Sequence, residues 1–151
     1  MSSTSSTTSR PPFGTAVIGQ TEKALNAILE RQLAGTAITE PQWVALTLTV
    51  VSGGTLTGDL LVQRISDVLK VDPAVARQRV AELAAADLVR TTPDGVVEPT
   101  EDGRALWGRV RSGIDRITQR LWGDLPDADL TTAGRVLTTV LTRANALLAA
   151  G

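Results

Sequence analysis

The sequence contains no cysteine, no histidine and no tyrosine, and aromatic residues make up only 3% of it. Without cysteine there is no disulfide framework, thiolate nucleophile or thiol redox sensor, and no stretch has zinc-finger spacing. With histidine and tyrosine absent as well, proton transfer near neutral pH would fall to carboxylates or lysine with strongly shifted pKa values. No nucleophile and base stand at a recognisable spacing, so catalysis is not expected, and neither a metal nor an organic cofactor is implied. The Gly-rich stretch from Gly53 to Gly58 lacks the lysine of a phosphate-binding loop and reads as a connection. Asp124, Asp127 and Asp129 match no calcium loop, and helix capping accounts for them. No apolar run is long enough to span a bilayer, and the opening MSSTSSTTSRPP has no apolar segment of the kind a secretion signal carries. A soluble, cytoplasmic protein without membrane contact is therefore expected.

What is present favours helices. Apolar residues make up 42% of the 151, mostly Ala, Leu and Val, enough for one ordinary core. The Ser/Thr-rich start, residues 1–14, cannot bury enough surface to offset its ordering entropy and reads as a disordered tail. The thirteen arginines against two lysines fit GC-rich coding. From Thr15 to Ala34, Val17, Ala24, Leu25, Ile28, Leu29 and Leu33 recur at helical steps, and Gly35 stops the pattern. Thr39-Glu40-Pro41-Gln42 is a capping box with proline in the first turn, and Ile38 is placed to staple onto Trp43. The helix that follows is apolar around its whole circumference, which predicts that its neighbours enclose it.

After Gly53-Gly54, a segment from about Leu60 to Lys70 sets Leu61, Ile65, Val68 and Leu69 on one face. Asp72 then reads as an N-cap with Pro73 at the first helical position, opening a helix to about Ala86. Ala76, Val80 and Leu83 form its inward face, and Ala74, Arg77, Gln78 and Ala81 its outward one. Two short helices joined this tightly are a helix-turn-helix pattern. Leu88 to Thr91 and Val96 to Glu98 flank the turn Thr92-Pro93-Asp94-Gly95 and predict a short hairpin, the wing. Thr100 caps a long helix with the seam Trp107, Val110, Ile114, Ile117 and Leu121, which calls for a partner helix. A last helix, with Leu130, Leu137, Val140, Leu141, Ala144 and Leu148 on one face, runs to the end.

This order of elements resembles the MarR family, the multiple-antibiotic-resistance type of winged-helix transcription regulators. The run RISDVLKVDPAVARQRVAEL, Arg64 to Leu83, is similar in register to the family's helix-turn-helix. Ala86-Asp87-Leu88-Val89-Arg90 resembles its exit into the wing, with Asp87 where glycine is usual. Pro99-Thr100-Glu101-Asp102-Gly103 resembles its entry into the long helix. The resemblance implies a mainly α, single MarR-like domain over residues 15–151. In it a winged helix-turn-helix, about 38–100, is carried by dimerisation helices at about 15–35 and 101–150. It further implies a bacterial homodimeric repressor or activator that binds double-stranded DNA at a pseudo-palindromic operator.

By the same resemblance Ala74, Val75, Arg77 and Gln78 enter the major groove and Arg90 meets a phosphate. Arginine can donate two hydrogen bonds to guanine, glutamine can pair with adenine, and an alanine methyl can touch that of thymine. Trp43 and Trp107, with Arg111 one turn further on, would border a pocket for a small aromatic or anionic effector. Five arginines, Arg104, Arg109, Arg111, Arg116 and Arg120, run along the long helix and read as its solvated face. A second reading keeps the fold without DNA, as a winged-helix dimer serving as a protein-interaction module or antagonist. From Thr55 to Pro99 five basic residues (Arg64, Lys70, Arg77, Arg79, Arg90) face seven acidic ones (Asp59, Asp67, Asp72, Glu82, Asp87, Asp94, Glu98), a net charge of −2. The wing tip also lacks the arginine that wings of the family usually carry.

Overall fold

The computed structural model describes residues 12–151, so most of the expected N-terminal tail lies outside the described residues. Helix α1 (Thr15–Leu33) ends where Gly35 takes φ 84°, a conformation that suits glycine. Helix α2 (Glu40–Val51) begins as its capping sequence predicts, with Gln42 Oε1 accepting from the Thr39 N–H at 2.9 Å. Every α2 residue before Val51 is buried or half-buried, in line with its all-round apolar character.

Helix α3 (Gly58–Leu69) starts two residues earlier than its apolar pattern predicts, because Thr57 serves as its N-cap, accepting from the Leu60 N–H at 3.4 Å. Its buried face also differs from the expected one. Val62 is buried beside Leu61 and Ile65, whereas Val68 is 57% exposed. Asp72 Oδ1 accepts from the Ala74 N–H at 2.9 Å and opens helix α4 (Pro73–Ala85). Helices α2, α3 and α4 pack on one another around Leu46, Leu61, Ile65, Ala76 and Leu83, none more than 1% exposed. Burying each of the large members contributes about 2 kcal/mol before entropy is counted.

Strands β1 (Val89–Thr91) and β2 (Val97–Pro99) pair antiparallel, with Arg90 opposite Glu98. The segment before α3 extends this hairpin: Val97 N–H donates to Leu56 O at 2.9 Å and Gly58 N–H to Gly95 O at 3.0 Å. Asp87, at the residue where the resemblance puts glycine, has φ 59°, the left-handed conformation that aspartate tolerates better than most residues.

Thr100 Oγ1 accepts from the Gly103 N–H at 3.0 Å and donates to Asp87 O at 2.5 Å, tying the start of helix α5 (Glu101–Trp122) to the end of α4. A Cβ on Gly103 would lie 2.0 Å from Leu88 O, so only glycine lets the first turn of α5 come this close to the chain entering β1. The contacts divide the chain into two compact units, one ending at Ile114 and one spanning Asp115–Gly151. Helix α5 crosses that boundary. In the second unit, helix α6 (Asp127–Ala150) buries none of its residues within the single chain, and Leu147 and Leu148 are 76% and 65% exposed.

Candidate nucleic-acid interface and ligand cleft

The turn from α3 to α4 is only Lys70, Val71 and Asp72. Lys70 takes φ 57° at the end of α3, and Ser66 closes the turn by donating from Oγ to Val71 O at 2.6 Å. The tight join fixes the direction of α4 and therefore which of its residues point away from the core. Ala74, Arg77, Gln78 and Ala81 are exposed, Val75 is half-buried, and Ala76 and Leu83 lie in the core. Among the described residues Arg77 has no hydrogen-bond or ion-pair partner. A planar five-donor group on an exposed helix face, with its hydrogen bonds unmade, is suited to bidentate recognition of an acceptor pair.

The other cations nearby are differently placed. Arg79 Nη1 pairs with Glu82 Oε1 at 2.6 Å, and Arg90 Nε with Glu98 Oε1 at 2.7 Å across the hairpin. Lys70 Nζ donates to Asp67 O at 2.7 Å. Two of the region's five basic side chains thus have their charge countered on the spot, including Arg90, one of the residues assigned to DNA by resemblance. The hairpin tip is a tight turn in which Thr92 N–H donates to Val96 O at 2.8 Å and Gly95 has φ 81°. Its Pro93 and Asp94 are exposed and offer no positive charge.

Nothing in its residue type marks Glu82, although its spacing of three from Arg79 and four from Gln78 puts all three on one helix face. Besides Arg79 it accepts from Gln42 Nε2 at 2.9 Å. The hydrogen bond from Gln42, and then that from Arg79, hold its carboxyl below the usual carboxylate range.

Trp43 and Trp107, which the resemblance assigns to an effector pocket, stack on each other, with ring centroids 6.2 Å apart and planes 14° from parallel. Trp107 Nε1 donates to Thr47 Oγ1 at 3.1 Å, and Trp43 is 6% exposed. A cleft of about 740 Å³ opens elsewhere, between the end of α1, the α1–α2 connection and the first turns of α5. Gln32, Thr36, Leu88, Asp102, Leu106 and Arg109 are among its lining residues, and Trp43, Trp107 and Arg111 are not. The residues that line it are far apart in sequence, and nothing in their spacing announces the cleft. Among the described residues no group of three or more His, Asp or Glu side chains is placed to hold a metal ion, and no helix is long and apolar enough to cross a membrane.

No family model matches the sequence, and no curated protein matches it significantly. Solved structures do. CouR from Rhodococcus jostii RHA1, solved with p-coumaroyl-CoA bound, superposes with a TM-score of 0.71 at 17% identity, covering 83% of this chain and 89% of its own. The chain has the MarR-type winged-helix fold. The reduced form of MarR from E. coli aligns over 87% of this chain and 95% of its own, with a TM-score of 0.64 and 22% identity. The Mycobacterium tuberculosis MarR family protein Rv2887, solved in complex with DNA, gives the same TM-score, 0.64, at 20% identity over 87% of this chain and 98% of its own. In MarR-type terms α3 and α4 are the helix-turn-helix and β1–β2 the wing.

Proposed function

We propose that this chain is a homodimeric transcription regulator that reads a pseudo-palindromic DNA operator through α4. The observation that carries the reading is the outward face of α4. It presents an unpartnered Arg77 beside Gln78 and two alanines, on a helix seated by Ala76 and Leu83 at 0% and 1% exposure. Such a face, two groups able to read base edges with small side chains a turn to either side, fits a major groove about 12 Å wide. The proposed contacts are Ala74, Val75, Arg77 and Gln78 to base edges, with Arg90 reaching a phosphate only if it leaves Glu98. The exposed leucines of α6 and the exposed Val17 and Leu25 of α1 supply apolar surface for a second copy of the chain. In a two-fold dimer the two recognition helices would then meet half-sites about one helical turn apart.

A small organic anion is the proposed effector. Arg109 offers it a charge partner in the cleft, and Leu88, Leu106 and Val110 offer an apolar floor. That the Mycobacterium tuberculosis MarR family protein Rv2887, which shares the fold, has been solved in complex with salicylic acid supports a ligand of this general kind.

Selection of binding sites from random duplexes at low salt tests the reading. Enrichment of a palindromic motif whose guanine preference disappears in Arg77→Ala is the expected result. A second reading, a protein-interaction module without DNA, draws on the countered charges of Arg79 and Arg90 and on the net charge of −2. It takes the lead if no sequence is enriched.

A further inference from the structure

The cleft between the end of α1 and the start of α5 is lined by one acid and one base, both on α5. Asp102 and Arg109 are seven residues apart, so they share one side of the helix with about 10 Å of axial rise between them. They do not pair with each other, and among the described residues neither has a hydrogen-bond or ion-pair partner elsewhere. Ala105 and Leu106 lie between them along the helix, and Leu88 adds apolar surface from the chain entering β1. The cleft is therefore charged at both ends, with opposite signs, and apolar in its middle.

The basic end has a second donor. A Cβ on Gly113 would collide with Gln32 Oε1, so the Gln32 amide occupies the space that glycine leaves bare on α5. Gly113 is one turn beyond Arg109, on the side away from Asp102. Gln32 is half-buried and its side chain makes no hydrogen bond among the described residues, so its N–H donors remain for a ligand oxygen. A guanidinium beside an amide donor suits a carboxylate. At the other end, an uncharged tail laid along the cleft would strip water from Asp102 and give it nothing in return. An ammonium group there would replace the lost hydration with a charge-assisted hydrogen bond.

We propose that the cleft takes a dipolar ligand: an elongated, amino acid-like molecule with its carboxylate held by Arg109 and Gln32, its ammonium held by Asp102, and an apolar middle over Ala105 and Leu106. This rests on the reading of the cleft as the effector site. It adds that the organic anion bound there also carries a cationic group, some two helical turns from the first.

The test uses four eight-carbon chains, 8-aminooctanoate, octanoate, octylamine and octanedioate, the first of which sets its two charges at the required separation when extended. Each is titrated into the full-length chain and followed through the backbone amide NMR signals of Gln32, Leu88 and Arg109. Wild type is expected to bind 8-aminooctanoate about tenfold more tightly than any of the other three. Asp102→Lys converts the acidic end into a second basic one and should reverse the order, with octanedioate bound more tightly than 8-aminooctanoate. Asp102→Asn, a milder change, should make 8-aminooctanoate and octanoate equal. Asp102 is exposed in the first turn of α5, so neither substitution disturbs the core, and thermal unfolding verifies that each variant is folded. Equal affinity of wild type for 8-aminooctanoate and octanoate, or an unchanged order of affinities in folded Asp102→Lys, overturns the dipolar ligand and leaves the cleft as a site for simple anions. Octylamine binding as tightly as 8-aminooctanoate, or no probe shifting the cleft signals, overturns both readings.

Discussion

The recognition helix and the wing each carry an arginine assigned to DNA, and the two are in opposite states. Arg77 projects from α4 without a partner among the described residues, on a helix fixed by core packing. Arg90 lies in a three-residue strand, its guanidinium bonded to Glu98 at 2.7 Å, next to a tip made of Pro93, Asp94 and Gly95. An exposed pair of this kind contributes at most about 1 kcal/mol to stability, so its main effect is to cancel a charge that a phosphate would otherwise attract. A count of arginines therefore overstates the positive charge this domain leaves uncommitted. What matters is which guanidinium groups are uncommitted, and on the proposed reading of α4 Arg77 is the one placed to meet base edges.

Three substitutions bear on this contrast. The largest is Gly103→Ala. Its new methyl would collide with Leu88 O, and the backbone entering the hairpin would have to move at a cost of about 3 kcal/mol, measurable by urea unfolding. If the wing contributes little, affinity per folded molecule should nevertheless hold; a parallel fall in affinity would show the hairpin to be a partner of α4 in binding.

Glu98→Gln comes next. Releasing Arg90 should raise affinity for random duplex severalfold at low salt and steepen the salt dependence of log K by about one per protomer, read by fluorescence anisotropy. An unchanged slope would mean that Arg90 does not approach phosphate even when free, and the contrast with Arg77 would become complete.

The smallest is Asp87→Gly. Relieving a φ of 59° on a non-glycine residue should stabilise the fold by about 0.5 kcal/mol, part of the gain being lost to the greater freedom of glycine in the unfolded chain. A loss of stability instead would assign Asp87 a contact worth more than its strain.

Much of this architecture is legible in the sequence because its helix starts are written in local chemistry. Thr39-Glu40-Pro41-Gln42 and Asp72-Pro73 mark α2 and α4, and Ala76, Val80 and Leu83 give the inward face of α4 by period alone. The start of α3 is less legible because Thr57, its cap, follows two glycines and reads as part of their connection. The exposure of Val68 and burial of Val62 depend on where α2 and α4 lie, which the period of α3 does not encode. The exposed face of α4 is legible in its residues and much less in their states. That Arg77 is unpartnered while Arg79 and Arg90 are paired follows from geometry across a helix turn and a strand register. The cleft joins residues of α1 and its following loop to residues of α5 some seventy positions away, so no local pattern anticipates it. The stacking of Trp43 on Trp107 joins α2 to α5 across sixty-four positions and has no local signal either.

The most direct measurement of the central claim is a cycle between protein and base. The affinities of wild type and Arg77→Ala are measured, at one salt concentration, for the selected duplex and for the same duplex with each guanine of the half-site replaced in turn. One guanine should cost the wild type about 10- to 100-fold when changed and cost Arg77→Ala almost nothing, since a bidentate pair contributes about 1–3 kcal/mol of discrimination. Equal losses in both proteins at every guanine would contradict the account and remove Arg77 from base recognition.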